Sequence, residues 1–312
     1  MLLDDLRREL PRSREVVFTH IRTPLLDPWS ALTALEARAR GFREASVSLD
    51  LWLSMSLALI EGDELVIEWS RETLSIDFDS LEEAAESTSV YALTRRGLEP
   101  VAMFSDASSM YCKLRFVAPF KPPTVEIGGI HMHRIEGCDP LQDAVAKVRC
   151  LGRKLRGAVL DTCLGLGYTA IAALSLGAEL VVSIELDPAV IAIASFNPWS
   201  KPLALARSLG KAMVLLGDSS EVVREMPSDF FDYVIHDPPR FELAGELYSY
   251  EFYRELFRVM KPGAKLFHYT GEPRKHSGVS IVKGVKRRLE QAGFERVRWV
   301  EGAKGFVAIK PR

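Results

Sequence analysis

An acid followed by two prolines closes the apolar run at residues 231–236: Asp237-Pro238-Pro239-Arg240. Proline lacks an amide donor and fixes φ, so neither a strand nor a helix continues through the pair. The chain must turn there. The turn leaves the Asp237 carboxylate and a backbone carbonyl at a strand's C-terminal tip, where open α/β sheets bind ligands. Side by side, a carboxylate and a carbonyl can accept both protons of an NH2 group and aim its lone pair at an electrophile held in line. Asp237, Pro238 and Pro239 are therefore the candidate chemistry residues, with no strong base needed before attack. Arg240, Phe241 and Tyr248 come next in the chain and are candidates to stack on or line an acceptor. Attack at cytosine C5 is disfavoured, because it needs a cysteine nucleophile that this tip does not supply. No Lys–Asp–Lys–Glu set of the kind that serves ribose hydroxyls is visible.

A second constellation lies upstream. Val159-Leu160-Asp161-Thr162-Cys163-Leu164-Gly165-Leu166-Gly167-Tyr168 reads as a strand, a glycine-containing turn and a helix start. Glycines at 165 and 167 let backbone approach a ligand where a Cβ would clash. The spacing also fits a dinucleotide fingerprint with Glu185 on the ribose. Three features favour S-adenosylmethionine. Asp161, at the strand tip, suits the donor's cationic amino group and would repel a pyrophosphate. Gly217-Asp218 supplies a carboxylate after the third strand, suited to the adenine amino group. Lys261-Pro262-Gly263 provides a helix stop before the fifth strand. Glu185 would take the ribose hydroxyls, and Asp187 would cap the helix opening at Pro188. Cys163, Gly165, Gly167, Tyr168, Leu186 and Ser219 complete the candidate cofactor-binding set.

Elements that could position these residues follow from periodicity. From Gly157 onward, strands and helices alternate, which predicts a parallel sheet with crossover helices. Strands are expected at Ala158–Asp161, Leu180–Glu185, Ala212–Leu216, Tyr233–His236, Lys265–Tyr269, Val297–Val300 and Phe306–Ile309. The link between the last two is too short for a parallel crossover, so the final strand is reversed. Before residue 140 the pattern is that of a smaller α+β or mostly β domain. Helices are expected near Leu3–Leu10, Pro28–Arg40 and Leu81–Ser87, and strands at Ser46–Leu51, Glu64–Trp69, Leu74–Phe78 and Val90–Leu93. The expected division is 1–140, docking the substrate, and 141–312, the catalytic domain.

Apolar residues make up 47% of the 312 and charged residues 26%, an ordinary globular balance with no run long enough to span a membrane. The four cysteines lack paired metal or disulfide spacing. With no signal-peptide pattern at the N-terminus, a reducing, cytoplasmic setting is expected. His131 and His133 would share a strand face, but no acid–cysteine cluster completes a metal site, so no metal is expected. Arg134 beside them is a candidate substrate contact. The net charge of −2 is uneven, with basic runs at Lys147, Arg149, Arg153, Lys154, Arg156 and at Lys283, Lys286, Arg287, Arg288. Such runs are solvated helix faces or phosphate contacts.

Residues 157–310 resemble class I S-adenosylmethionine-dependent methyltransferases: a Rossmann-like seven-stranded sheet with its last strand antiparallel. Asp161-Thr-Cys-Leu-Gly-Leu-Gly-Tyr-Thr-Ala170, Asn197-Pro-Trp-Ser200 and His236-Asp-Pro-Pro-Arg-Phe241 are similar to motifs of a group of predicted archaeal methyltransferases. That likeness reaches upstream through Pro123–Arg134. Cys163 stands where the superfamily usually has glycine. The resemblance implies N-methylation of an exocyclic amino group, since enzymes acting on adenine N6, cytosine N4 or guanine N2 carry an acid or Asn, two prolines and an aromatic. Here Arg240 takes the aromatic's place, with Phe241 next. An RNA base, in ribosomal or transfer RNA, is the expected acceptor. A small-molecule or protein amine, or aminopropyl transfer, is the alternative.

Overall fold

The computed structural model describes residues 2–9, 14–241, 244–271 and 279–312. Chain contacts gather into two compact units, Met1–Phe18 with Leu141–Pro188 and Pro202–Arg312, and Thr19–Pro140 with Ala189–Lys201.

The first unit holds an eight-stranded sheet. Its strands are β1 (Glu15–Val16), β2 (Ala158–Asp161), β3 (Leu180–Glu185), β4 (Ala212–Leu216), β5 (Phe231–His236), β6 (Met260–Tyr269), β7 (Glu295–Val300) and β8 (Gly305–Ile309). Across the sheet the order is β1-β4-β3-β2-β5-β6-β8-β7. β4, β3, β2, β5 and β6 run parallel, and β8 is antiparallel to both β6 and β7. The seven expected strands are all present, several of them longer at their starts. An eighth was not anticipated: β1 adds antiparallel to β4, pairing Glu15 with Leu215 and Val16 with Val214. Two residues carry too little periodicity to read as a strand.

β2, β3 and β4 are unbroken apolar runs because helices cover both their faces, and Ala158–Asp161 is buried along its length. Four helices matter for the site: α1 (Pro140–Arg149), which leads into β2, α2 (Tyr168–Ser175), α3 (Tyr250–Val259) and α4 (Val279–Gln291). Strand order reverses between β2 and β5, and this crevice is the switch point where such sheets bind ligands. Parallel register brings Asp161 level with Ser183 and Ile235, and His236 level with His268. The carboxyl ends of the strands therefore share one rim. The N-terminal helix is Leu2–Glu9, and Leu10, which the expected helix reached, lies outside the described residues.

The second unit is α+β, with antiparallel sheets and the helices Pro28–Ala39 and Phe78–Glu86 around a core that includes Leu26, Val47, Leu65, Ile67, Phe78 and Leu81. Two expectations shift. The strand expected at Ser46–Leu51 is Glu44–Val47, because Ser48 Oγ accepts the Trp52 amide at 2.6 Å and Leu51 and Trp52 take φ of 54° and 70°, closing a turn. Phe78 opens a helix rather than ending a strand, since the Asp77 carboxylate accepts the Ser80 amide at 2.7 Å. Asn197-Pro198-Trp199-Ser200 also belongs to this unit. Asn197 caps a short 3-10 turn and donates to Ser200 Oγ at 2.8 Å, while Trp199 Nε1 donates to the Leu51 carbonyl at 2.9 Å. Among the described residues, no helix is long and apolar enough to cross a membrane.

Candidate active site

Asp161 ends β2 with none of its surface exposed. Its Oδ2 accepts from Thr169 Oγ1 at 3.0 Å and from Ser183 Oγ at 3.1 Å, while Oδ1 is buried with no partner among the described residues. Burial, aided by the charges of Asp237 and Glu185, pushes its carboxyl up to about 7. A buried acceptor with one oxygen unused is costly unless a donor arrives. This is the observation that fits a ligand bearing a cationic amino group.

Glu185 ends β3. Its Oε2 accepts the Gly165 amide at 2.9 Å and its Oε1 the Asp187 amide at 3.1 Å, and burial raises its carboxyl to about 7. The Gly165 amide is thus turned onto Glu185, and the Gly167 amide onto the Leu164 carbonyl at 2.7 Å. Both glycines are needed for conformation rather than for presenting these two amides. Gly167, at the N-terminus of α2, has φ of 78°, and a Cβ there would lie 2.8 Å from Leu203 Cδ2. Tyr168 is buried in the core at 1% exposure, whereas the Leu186 side chain is 55% exposed on the rim. Asp218 caps the turn after β4, its Oδ1 accepting the Ser220 amide at 2.7 Å. Buried Ser219 donates its hydroxyl to the Thr162 carbonyl, tying the β4 tip to the β2 tip. Cys163 lies partly exposed in the loop, its thiol pushed up by burial and by Glu185.

The Asp-Pro-Pro turn follows β5 directly. Both Asp237 oxygens accept from Lys147 Nζ, Oδ1 at 2.9 Å and Oδ2 at 2.7 Å. Lys147 also meets Asp143 Oδ2 at 2.8 Å, one turn earlier on α1, and sits 3.9 Å from the centre of the Tyr269 ring. Burial opposes the Lys147 charge, but Asp237 and Asp143 outweigh it and hold the ammonium above its ordinary range. Burial raises Asp237, and Lys147 counters that rise. The reading of Lys147 as part of an exposed basic run is therefore corrected: it is 2% exposed and lies inside the site. A signal was present, since Asp143 and Lys147 fall on the helical stripe of Ala144, Val148 and Leu151, all buried. Arg149, Arg153, Lys154 and Arg156 are exposed. The last three precede β2, so that strand's length, about 10 Å, separates them from the rim.

Around the turn, Tyr248 is 3% exposed and its hydroxyl donates to the Pro239 carbonyl at 2.8 Å. The Phe241 ring, 42% exposed, packs edge-on against Tyr248 with centroids 5.4 Å apart, and Arg240 faces solvent. Arg288 of the second basic run donates to the Tyr248 carbonyl at 2.7 Å, bracing the same turn. His236, before Asp237, is buried and neutral, lowered to about 3 by burial. Its Nε2 faces the Leu247 carbonyl at 2.9 Å and so carries the proton, and its Nδ1 accepts from Thr162 Oγ1 at 2.7 Å. His268 is equally buried, its Nε2 2.7 Å from the Tyr253 hydroxyl and its ring 4.3 Å from that of His236. Both histidines are structural parts of the rim.

The structure thus brings Asp161, Gly165, Glu185, Asp218, Asp237 and Tyr248 together on one rim. Arg134 belongs to the other unit, where its Nε donates to Cys138 Sγ at 3.1 Å. His133 Nδ1 there is 2.9 Å from Thr124 Oγ1. Among the described residues no group of three or more His, Cys, Asp or Glu could hold a metal ion.

No family model matches the chain. The uncharacterized protein MJ1233 of Methanocaldococcus jannaschii is 41% identical over 274 residues, covering 86% of this chain and 92% of that protein. A spermidine synthase in complex with the transition-state analogue AdoDATO superposes with a TM-score of 0.55 at 20% identity, over 67% of this chain and 72% of that one. The spermidine synthase of Thermotoga maritima gives 0.51 at 19% identity, over 67% and 71%. The shared feature is the fold: a mainly parallel sheet with antiparallel end strands, like the class I methyltransferase fold.

Proposed function

This chain belongs to the same family as the Methanocaldococcus jannaschii protein MJ1233, and we propose that it is an S-adenosylmethionine-dependent N-methyltransferase whose acceptor is the exocyclic amino group of an RNA base, cytosine N4 or guanine N2 in ribosomal or transfer RNA. The observation that carries the reading is the Asp237 carboxylate, clamped by Lys147 at the switch-point rim beside the unsatisfied oxygen of Asp161. S-adenosylmethionine, when bound, supplies a methyl group on a sulfonium. Asp161 would hold its amino group, Glu185 its ribose and Asp218 its adenine. Asp237, with the Pro238 carbonyl, would accept hydrogen bonds from the two N–H groups of the acceptor and turn the nitrogen lone pair toward that methyl. Once the nitrogen is alkylated its proton is acidic, so Asp237 needs no unusual basicity. Phe241 and Arg240 would stack on the base.

RNA docking is supported by one sheet face of the second unit. Phe104 and Tyr111 pair across strands and are 61% and 52% exposed, with Lys113 and Arg115 at alternate positions along the same face as Tyr111. Exposed rings beside cations are what single-stranded RNA stacks upon. Glu126, on that face, neutralises one of the two charges.

A second reading is transfer to a small cationic amine, aminopropyl transfer included. The rim favours it in one respect: Asp143, Asp161, Glu185 and Asp237 stand against Lys147, and the exposed Arg153, Lys154 and Arg156 lie off the rim. The test is mass spectrometry of nucleosides from total RNA incubated with labelled S-adenosylmethionine, wild type against Asp237→Ala. Labelled N4-methylcytidine or N2-methylguanosine that disappears in the variant is expected, with donor binding kept. Label appearing on putrescine or spermidine instead, or aminopropyl products from the decarboxylated donor, would move the assignment to the second reading.

A further inference from the structure

Three charged groups of one cluster differ sharply in access. The side chains of Asp143 and Lys147 are 1% and 2% exposed, and that of Asp237 is 16% exposed. A ligand in the crevice therefore meets the cluster at Asp237 and feels Lys147 through it. Buried ion pairs rarely add stability over well-packed apolar side chains. The stripe of Ala144, Val148 and Leu151 would accept leucine at 147 with an apolar residue at 143 and no buried charge at all. Something other than packing accounts for an ammonium there.

We infer that Lys147, backed by Asp143, is a positioning residue that sets both the orientation and the charge of the Asp237 carboxylate. The inference rests on the reading that Asp237 receives the acceptor amine. Lys147 Nζ reaches both oxygens, at 2.9 and 2.7 Å, which fixes the plane of the carboxylate and occupies one side of it. The part of the carboxylate left exposed, 16%, keeps its remaining lone pairs open to an acceptor. Tyr269, from β6, lies under the ammonium and confines it.

The charges facing Asp237 explain why a cation is required. Asp143 and Lys147 come from α1, Asp161 from the β2 tip, Cys163 from the loop after it, and Tyr248 from the turn before α3. Among these Lys147 is the cation. Without it Asp237 is a buried acid facing two others, and it takes up a proton. A protonated carboxyl presents an O–H to the amine and can no longer accept both of its protons. Asp143 in turn keeps Lys147 charged: with two carboxylates around it, the ammonium holds its proton in the cluster.

The test reads the carboxylate itself, with no substrate present. Protein labelled with 13C at the aspartate carboxyls is titrated by NMR, and Asp237 is assigned by loss of its signal in Asp237→Asn. In Lys147→Met the Asp237 midpoint is expected to rise by at least one pH unit, and in Lys147→Arg to stay near wild type. The acid limb of kcat/KM should move up by the same amount in Lys147→Met. Its kcat should fall at least tenfold with donor affinity within twofold, and Lys147→Arg should recover part of the rate. If Lys147→Met does not fold, Asp143→Asn/Lys147→Met removes the second buried charge and serves in its place. An Asp237 midpoint that is the same with and without Lys147 overturns the inference. A wild type that methylates no amine, with the midpoint shifting as expected, overturns the functional reading and leaves the hold of Lys147 on Asp237 standing.

Discussion

Asp161→Asn should stabilise the protein and weaken its grip on the donor, two effects of opposite sign from one atom. Burial moves the Asp161 carboxyl from 3.8 to about 7, so ionising it in the folded protein costs ~4 kcal/mol. Because the folded value is raised, the protonated form supports the fold fully below pH 4, and that support is lost as pH rises through 7. Asparagine removes the charge while its oxygen can still accept from Thr169 and Ser183. Its NH2 would stand where Oδ1 has no partner, an unpaired donor costing about 1–3 kcal/mol. The net gain at pH 8 is therefore about 2 kcal/mol, a rise of roughly 3 °C in Tm for a chain of this size. The gain should vanish at pH 5.5, where taking up the proton on folding costs wild-type Asp161 only about 2 kcal/mol, the same as the unpaired NH2 of the variant. Donor binding should go the other way. Losing a charge-assisted hydrogen bond to an amino group costs about 1.5–3 kcal/mol, or roughly 10–100-fold in Kd. Thermal unfolding at the two pH values and calorimetric titration with S-adenosylhomocysteine measure both effects. A variant less stable than wild type at pH 8, or one binding the ligand with unchanged affinity, would refute the reasoning about Oδ1.

Gly305→Ala should be among the most damaging single changes on the sheet. A Cβ there would lie 2.4 Å from the His268 carbonyl oxygen and 2.7 Å from Phe267 Cζ. Overpacking against backbone costs about 3 kcal/mol, read as a Tm loss or as insoluble protein. Phe104→Ala/Tyr111→Ala should weaken binding of a fluorescent single-stranded RNA at least tenfold, from about 1–3 kcal/mol per stacked base. The same variant should leave S-adenosylhomocysteine affinity unchanged, and an unaltered RNA affinity would remove that sheet face from the docking surface.

Much of the fold was legible because parallel strands buried on both faces must be continuous apolar runs, as Leu180–Glu185 and Ala212–Leu216 are. The reversed last strand followed from the length of its link. β1 was not legible, since its two residues form a strand only by pairing with the edge of β4. The turn at Ser48 and the helix start at Phe78 escaped for a related reason: a single serine or aspartate oxygen decided them, and hydrophobic periodicity does not register one oxygen.

In the candidate site the sequence by itself determined which acids stand at which strand tips. The Asp-Pro-Pro turn must end its strand, and a strand–turn–helix with glycines must place Asp161 at a rim. What the tertiary structure decided is how those acids are used. Gly165 turns its amide onto Glu185, Tyr248 holds the Pro239 carbonyl, and Asp237 is clamped by a lysine ninety positions earlier. Hydrogen bonds between residues so far apart depend on register and crossover geometry, which local pattern does not encode. The sign of Lys147's role depends on the same distinction. On an open helix face an ammonium is a solvated charge, and between Asp143 and Asp237 it becomes the counterion of the site.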